Sequence, residues 1–167
     1  FATSCTNLDE EVFSEITEDS FIPADEDIVA LTASPYTPLR YIMSWQGLFD
    51  LQEESADTFV TPTRPNGWDD GGTYKRMHFH TWDETQYQPR NTWLSCFRGV
   101  NNINRVISQI ESGSLPITED QALAVTSELR ALRGLYYSIL LDTHGNVPIL
   151  KDFSDEVPQQ SSRQEVY

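Results

Sequence analysis

Glu128–Leu150, ELRALRGLYYSILLDTHGNVPIL, decides how this chain folds. Leu129, Leu132, Tyr136, Ile139 and Leu140 recur at three- and four-residue steps, which lays them on one face of a helix. Arg130 and Arg133 fall on or beside that face, where an arginine rests its methylene stem on a neighbour and pairs its guanidinium. Gly145-Asn146 supplies the positive-φ positions of a helix exit, and Pro148 bars continuation. On these grounds alone the stretch is a well-terminated core helix.

Moving towards the N-terminus, Thr118 with Gln121 three residues later is a capping-box start for that helix. Before it, Asn91 to Glu111 reads as another helix, with Trp93, Phe97, Val100, Ile103, Ile107 and Ile110 as its apolar stripe. Each such side chain gains roughly 1.5–3 kcal/mol on burial. Ser112-Gly113-Ser114 ends it, so the two helices form an antiparallel hairpin over residues 91–142. Asp25 to Tyr41 is loosely helical, but Pro35 and Pro38 force a break, bend or restart. Trp45 to Glu53 reads as a short helix. Residues 55–90, with Pro62, Pro65, Gly67, Gly71 and Gly72, read as a long loop whose Trp68, Tyr74 and Trp82 speak against disorder. Residues 1–23 are a polar, acidic leader, and 24–167 carry the folded part. After a linker from Lys151 to Gln160, Ser162 and Glu165 open one more helix as the sequence stops at Tyr167. That start implies the N-terminal part of a longer, all-α protein.

Composition narrows the function. The chain has 167 residues, enough for one domain, with 26 acidic and 11 basic residues and a net charge of −15. That balance excludes nucleic acid, which needs a basic footprint, and adhesion to an anionic bilayer through charge alone. A neutral ligand, a cation or a protein partner is left open. Cys96 sits among Trp93, Leu94 and Phe97 and reads as a buried free thiol. Cys5 lies in a polar stretch behind the small residues Ala2, Thr3 and Ser4. It is either a stray cysteine in a flexible leader or the acylated start of a lipoprotein. No apolar run reaches membrane-spanning length.

Three ordered blocks carry a family resemblance. The first is Arg130, Arg133, Tyr136, Tyr137, Asp142 and Gly145-Asn146-Val147-Pro148. The second is the helix with Trp93, Phe97, Asn101, Asn102 and Asn104, which departs from the family pattern in having Phe97 at a usual Tyr position and Gly99-Val100 nearby. The third runs from Ser55-Ala56-Asp57 through Pro62-Thr63-Arg64 and Gly67–Gly72 to His80-Thr81-Trp82. Together they resemble the SusD/RagB-like family, surface glycan-binding lipoproteins of Bacteroidetes nutrient-uptake systems. The resemblance implies a tetratricopeptide-like helical-repeat fold, of which this is the N-terminal third or so. It also implies lipid attachment at Cys5, a cell-surface location on the outer membrane, and delivery of glycan to a SusC-like TonB-dependent transporter.

By the same resemblance, Asp57, Arg64 and Trp82 occupy positions of the glycan site, with Gln86 near a position where an Asn is usual. Sugars are held by stacking their C–H faces on flat rings while planar polar groups fix the hydroxyls. Trp68 and Trp82 therefore serve either as sugar platforms or as pins holding the long loop to the helices. Asp69-Asp70-Gly71-Gly72 lacks the ligand series of a calcium loop and reads as a solvated turn. His78 and His80 alternate as on a short strand and fall short of a zinc set. His144 fits a helix C-terminus. The asparagines at 101, 102 and 104 either meet sugar hydroxyls or satisfy backbone groups in nearby loops. No phosphate loop or nucleophile elbow is present, and no cofactor is implied. The competing functions are a glycoside hydrolase using Asp83 or Glu84, and a helical-repeat interaction scaffold.

Overall fold

The computed structural model describes residues 25–167 except 65, 68 and 155, together with the side chains of all these but 25 and 26. The leader, with Cys5, and Trp68 lie outside the described residues. Helices follow one another as α1 (Asp25–Ala33), a 3-10 turn (Ser34–Tyr36), α2 (Thr37–Ile42), α3 (Leu48–Ser55), α4 (Thr73–His78), α5 (Tyr87–Glu111), α6 (Glu119–Thr143) and α7 (Arg163–Val166). No strand occurs among the described residues. The nearest approach to one is an isolated antiparallel bridge between Pro148 and Gln160.

The prolines do what their chemistry requires. Pro35 and Pro38 each fall in the first turn of a new element, where a missing N–H costs nothing, so the segment restarts twice instead of breaking. Pro89 likewise lets α5 begin at Tyr87, four residues ahead of the expected start, because it too lies within the first turn. At the far end of the hairpin Thr118 accepts the Gln121 amide at 3.3 Å while Gln121 Oε1 accepts the Thr118 amide at 2.9 Å. The expected capping box is formed.

α5 and α6 pack along their length around Cys96, Val100, Ile103, Val106, Leu129, Leu132, Tyr136 and Leu140, with Ile42 of α2 and Val147 closing the core. Cys96 is a free, fully buried thiol. Burial pushes its pKa up to about 12. The chain after α6 turns back and is tied down by polar side chains. Asn104 donates to the carbonyls of Leu150 (3.2 Å) and Asp152 (3.1 Å), and Arg133 donates to Asn104 Oδ1 (2.6 Å) and the Lys151 carbonyl (2.8 Å). The Leu150 amide donates to the Tyr137 hydroxyl at 2.6 Å. Asn146 Oδ1 accepts the Arg163 amide at 2.8 Å, which anchors the first turn of α7. Arg133, Tyr137 and Asn146, read from sequence as part of a motif, are thus engaged in holding the return of the chain.

Residues 55–90 are not one irregular loop. α4 interrupts them and packs Tyr74 and Met77 on Leu51 of α3, a second small core with Trp82 against it. The sequence hid this helix because it spans only six residues and follows Gly71-Gly72, both at positive φ.

Candidate functional site

Two short helices that end alike shape the region around Trp82. α3 stops at Ala56 and the chain leaves through Asp57 at φ 58°, with the Thr58 amide returning to the Glu53 carbonyl at 3.3 Å. α4 stops at Phe79 and leaves through His80 at φ 53°, with the Thr81 amide returning to the Arg76 carbonyl at 2.9 Å. Both exits have the left-handed residue and back-reaching amide that satisfy a helix's last carbonyls. They are also tied to each other. His80 Nε2 lies 2.7 Å from the Ser55 carbonyl, and His78 Nδ1 approaches Asp57 Oδ1 at 2.8 Å, off the line of a good hydrogen bond. His78 and His80 therefore close a helix end; the expected short strand does not form.

Trp82 follows directly. Its ring meets His80 edge-on, with centroids 5.6 Å apart and planes at 89°, and packs against the small Leu51–Tyr74–Met77 core. Trp82 also lines an open cleft of about 510 Å³. The same cleft is lined by Trp93, Leu94, Pro89 and Arg90 from the start of α5, and by His144 from the end of α6. Trp93 is steadied by Phe97 (centroids 4.6 Å apart) and by His144 (5.1 Å, at 66°). His144 Nδ1 lies 2.7 Å from the Thr143 hydroxyl. Burial lowers the His144 pKa, so the imidazole is uncharged at neutral pH, while Arg90 keeps its charge.

The sequence-derived site residues take different roles. Trp82 borders the cleft. Asp57 meets His78 of the segment that leads to Trp82 and keeps its carboxylate largely exposed, at 61%. Arg64 is exposed in the stretch between α3 and α4. That stretch is pinned by Thr61, whose hydroxyl and amide both donate to the buried Glu54 carboxylate. Gln86 is 5% exposed and its Oε1 accepts from Arg76 Nε at 3.1 Å, so it braces α4. The remaining amide nitrogen of Gln86 is buried without a partner among the described residues.

Trp93, an apolar-stripe residue by sequence, and His144, a helix-end residue, both also line the cleft. The signal available in the sequence was two tryptophans eleven residues apart across a helix start. Asp83 and Glu84 form the rim, but Asp83 Oδ1 accepts the Thr85 amide (2.9 Å) and hydroxyl (2.6 Å). Those bonds hold its pKa below the ordinary value, the wrong direction for a proton donor. No cluster of metal-ligating side chains occurs among the described residues, and none of their helices is long and apolar enough to cross a membrane.

Comparison with known proteins gives the frame. Residues 8–167 match the model of a SusD-like family described as "Starch-binding associating with outer membrane". Similar solved structures include a laminarin-binding SusD-like protein (TM-score 0.70, 22% identity, 85% of this chain and 31% of that one). A SusD superfamily protein from Parabacteroides distasonis gives 0.66 and 19%, covering 88% of this chain and 32% of that one. A SusD-like protein from Bacteroides fragilis gives 0.63 and 18%, covering 94% and 30%. The chain thus spans about a third of the length of these structures. No curated protein sequence matches it. The family model covers nearly the whole chain and the all-α fold agrees with it, so this chain belongs to the SusD-like family.

Proposed function

We propose that the protein binds glycan at the outer membrane, with the Trp82–Trp93 cleft as the portion of the binding site carried by these residues. The observation that supports it most is that two indoles line one open cleft together with the polar side chains of Asp83, Glu84 and Arg90. Such a surface suits a pyranose ring, whose C–H face lies on an aromatic plane while its hydroxyls reach the rim. Asp57 and Arg64 extend the site along the α3–α4 stretch, Trp68 remains a candidate platform, and Gln86 acts indirectly by bracing Arg76. Starch in the family description and laminarin in the name of one structural relative make these two glycans the first probes.

The protein captures without chemistry. A glycosidase needs an acid with a raised pKa facing a second carboxylate, and Asp83 is shifted the other way. Lipid attachment at Cys5 and transfer to a SusC-like TonB-dependent transporter complete the reading as family expectations. The test is calorimetry with starch and laminarin oligosaccharides on the protein and on Trp82→Ala. Binding should weaken by about tenfold or more, equivalent to about 1.4 kcal/mol, and no reducing ends should appear on long incubation. Affinity unchanged by Trp82→Ala would remove the cleft from the site. New reducing ends would restore the hydrolase reading.

A further inference from the structure

A second cleft, about 560 Å³, lies on the other side of the α5 ridge and is lined by Trp45, Tyr41, Arg40, Asn91, Leu94 and Arg98, among others. Three features set it apart from an ordinary surface hollow. Trp45 and Tyr41 are 63% and 59% exposed, so both rings face solvent. No acidic residue lines it, although the chain carries 26 acidic residues and 11 basic ones. Neither Arg40 nor Arg98 has an ion-pair partner among the described residues.

The cleft is also built to hold its shape. Gln46, next to Trp45, takes φ 68°, a region a non-glycine residue enters at an energetic cost. Two hydrogen bonds fix it there. Its amide donates to the buried Asp50 carboxylate at 2.6 Å, and its carbonyl accepts from Asn91 Nδ2 of α5 at 3.1 Å. Gly47 then passes so close to the Tyr41 and Ile42 carbonyls that a Cβ would stand 2.6 Å from each. The exposed indole therefore projects from an anchored turn.

The two clefts share a wall. Leu94 lines both, and Arg90, Leu94 and Arg98 succeed one another at four-residue steps along one stripe of α5.

We propose that the Trp45–Arg40–Arg98 cleft is a second carbohydrate subsite, selective for a sugar unit bearing an anionic group, carboxylate or sulfate. The inference rests on the glycan reading above and deepens it. The indole takes the ring face, and the guanidiniums take the planar or tetrahedral anion through paired N–H donors. In a chain of net charge −15, such a ligand is repelled elsewhere, so local cations unopposed by carboxylates are what its capture requires.

The experiment is calorimetry on the protein with three oligosaccharide probes: laminarin as the neutral one, oligogalacturonate as the carboxylate and oligo-carrageenan as the sulfate. Wild type is compared with Arg40→Gln/Arg98→Gln, Trp45→Ala and Trp82→Ala. At least one anionic probe should bind, lose about tenfold or more affinity in the double arginine variant and in Trp45→Ala, and weaken with added salt. Neutral binding should survive both variants, which also shows that they fold. Whichever anionic probe responds identifies the group recognised. Absence of anionic binding, or anionic binding indifferent to Arg40, Arg98 and Trp45, overturns the second subsite while leaving the first intact. Loss of carbohydrate binding altogether in the wild type overturns both readings.

Discussion

Tyr136 of α6 closes directly over Gly99 of α5. A Cβ built on Gly99 would lie 2.7 Å from Tyr136 Cε1 and closer still to Cζ and Cε2. The same tyrosine is fully buried, and its hydroxyl donates to the Pro35 carbonyl at 2.6 Å. One ring thus joins three elements: it rests on α5, belongs to α6 and ties down the turn leading into α2. Gly99→Ala has no room, because the obstruction is a ring held at its far end. The expected cost is about 2–3 kcal/mol, read as a lower denaturant midpoint with unchanged m-value. Tyr136→Phe keeps the packing and strands a buried carbonyl, at about 1–2 kcal/mol. A neutral Gly99→Ala would show that α5 and α6 can separate without penalty.

Asn104 is the hub of the return segment after α6. It gives its amide protons to Leu150 and Asp152 and accepts from Arg133. Asn104→Ala leaves two carbonyls and a guanidinium without their partner in a site only 3% exposed, a loss of about 2 kcal/mol. The effect should be local first. Hydrogen exchange of the Leu150 amide, protected by Tyr137, should accelerate more than that of α5. Uniform acceleration would mean that the return segment and the hairpin open as one unit.

Much of this architecture is written in local signals. The capping boxes at Thr118 and Ser162, the proline restarts at Pro35 and Pro38 and the buried Cys96 follow from neighbours within four residues. Asn104 reaching the backbone of nearby loops also matches one of its two sequence readings. The candidate cleft was less legible, because its walls come from the segment at Trp82, the start of α5 and the end of α6. Nothing in a linear pattern says that Trp93 and His144 face Trp82. The burial of Gln86 was equally hidden, because position relative to a tryptophan carries no information about burial. α4 escaped because six residues give too little periodicity to separate helix from turn.

Cys96 should report on global opening. With its thiol pKa pushed up to about 12 from 9.0, it is neutral and enclosed at ordinary pH. In the protein carrying Cys5→Ser, thiol-reagent labelling at pH 8 should therefore proceed only as fast as unfolding exposes the group. The same shift sets a pH dependence. Because the folded pKa lies above the unfolded one, the stabilisation is complete below pH 9.0 and is lost as pH rises from there through about 12. Cys96→Ala should flatten that part of the stability profile relative to wild type. Rapid labelling at pH 8 with the fold intact would place the thiol at the surface.

His144 gives the cleft its own acid limit. Its pKa is lowered from 6.5, chiefly by burial, while the protonated ring would stand edge-on to Trp93. A histidine depressed on folding stabilises the protein fully above its unfolded pKa. That contribution disappears as pH falls through the lower, folded value. Stability should thus be flat around neutrality and decline below pH 6.5, with a smaller decline in His144→Gln. Protonation also changes the surroundings of an indole, so tryptophan emission should show an acid step that His144→Gln removes. If the cleft holds sugar, ligand excludes water from the imidazole further and moves the step to still lower pH. A step at or above 6.5 would mean that the ring is hydrated or pairs with an acidic group, so that burial does not control its protonation.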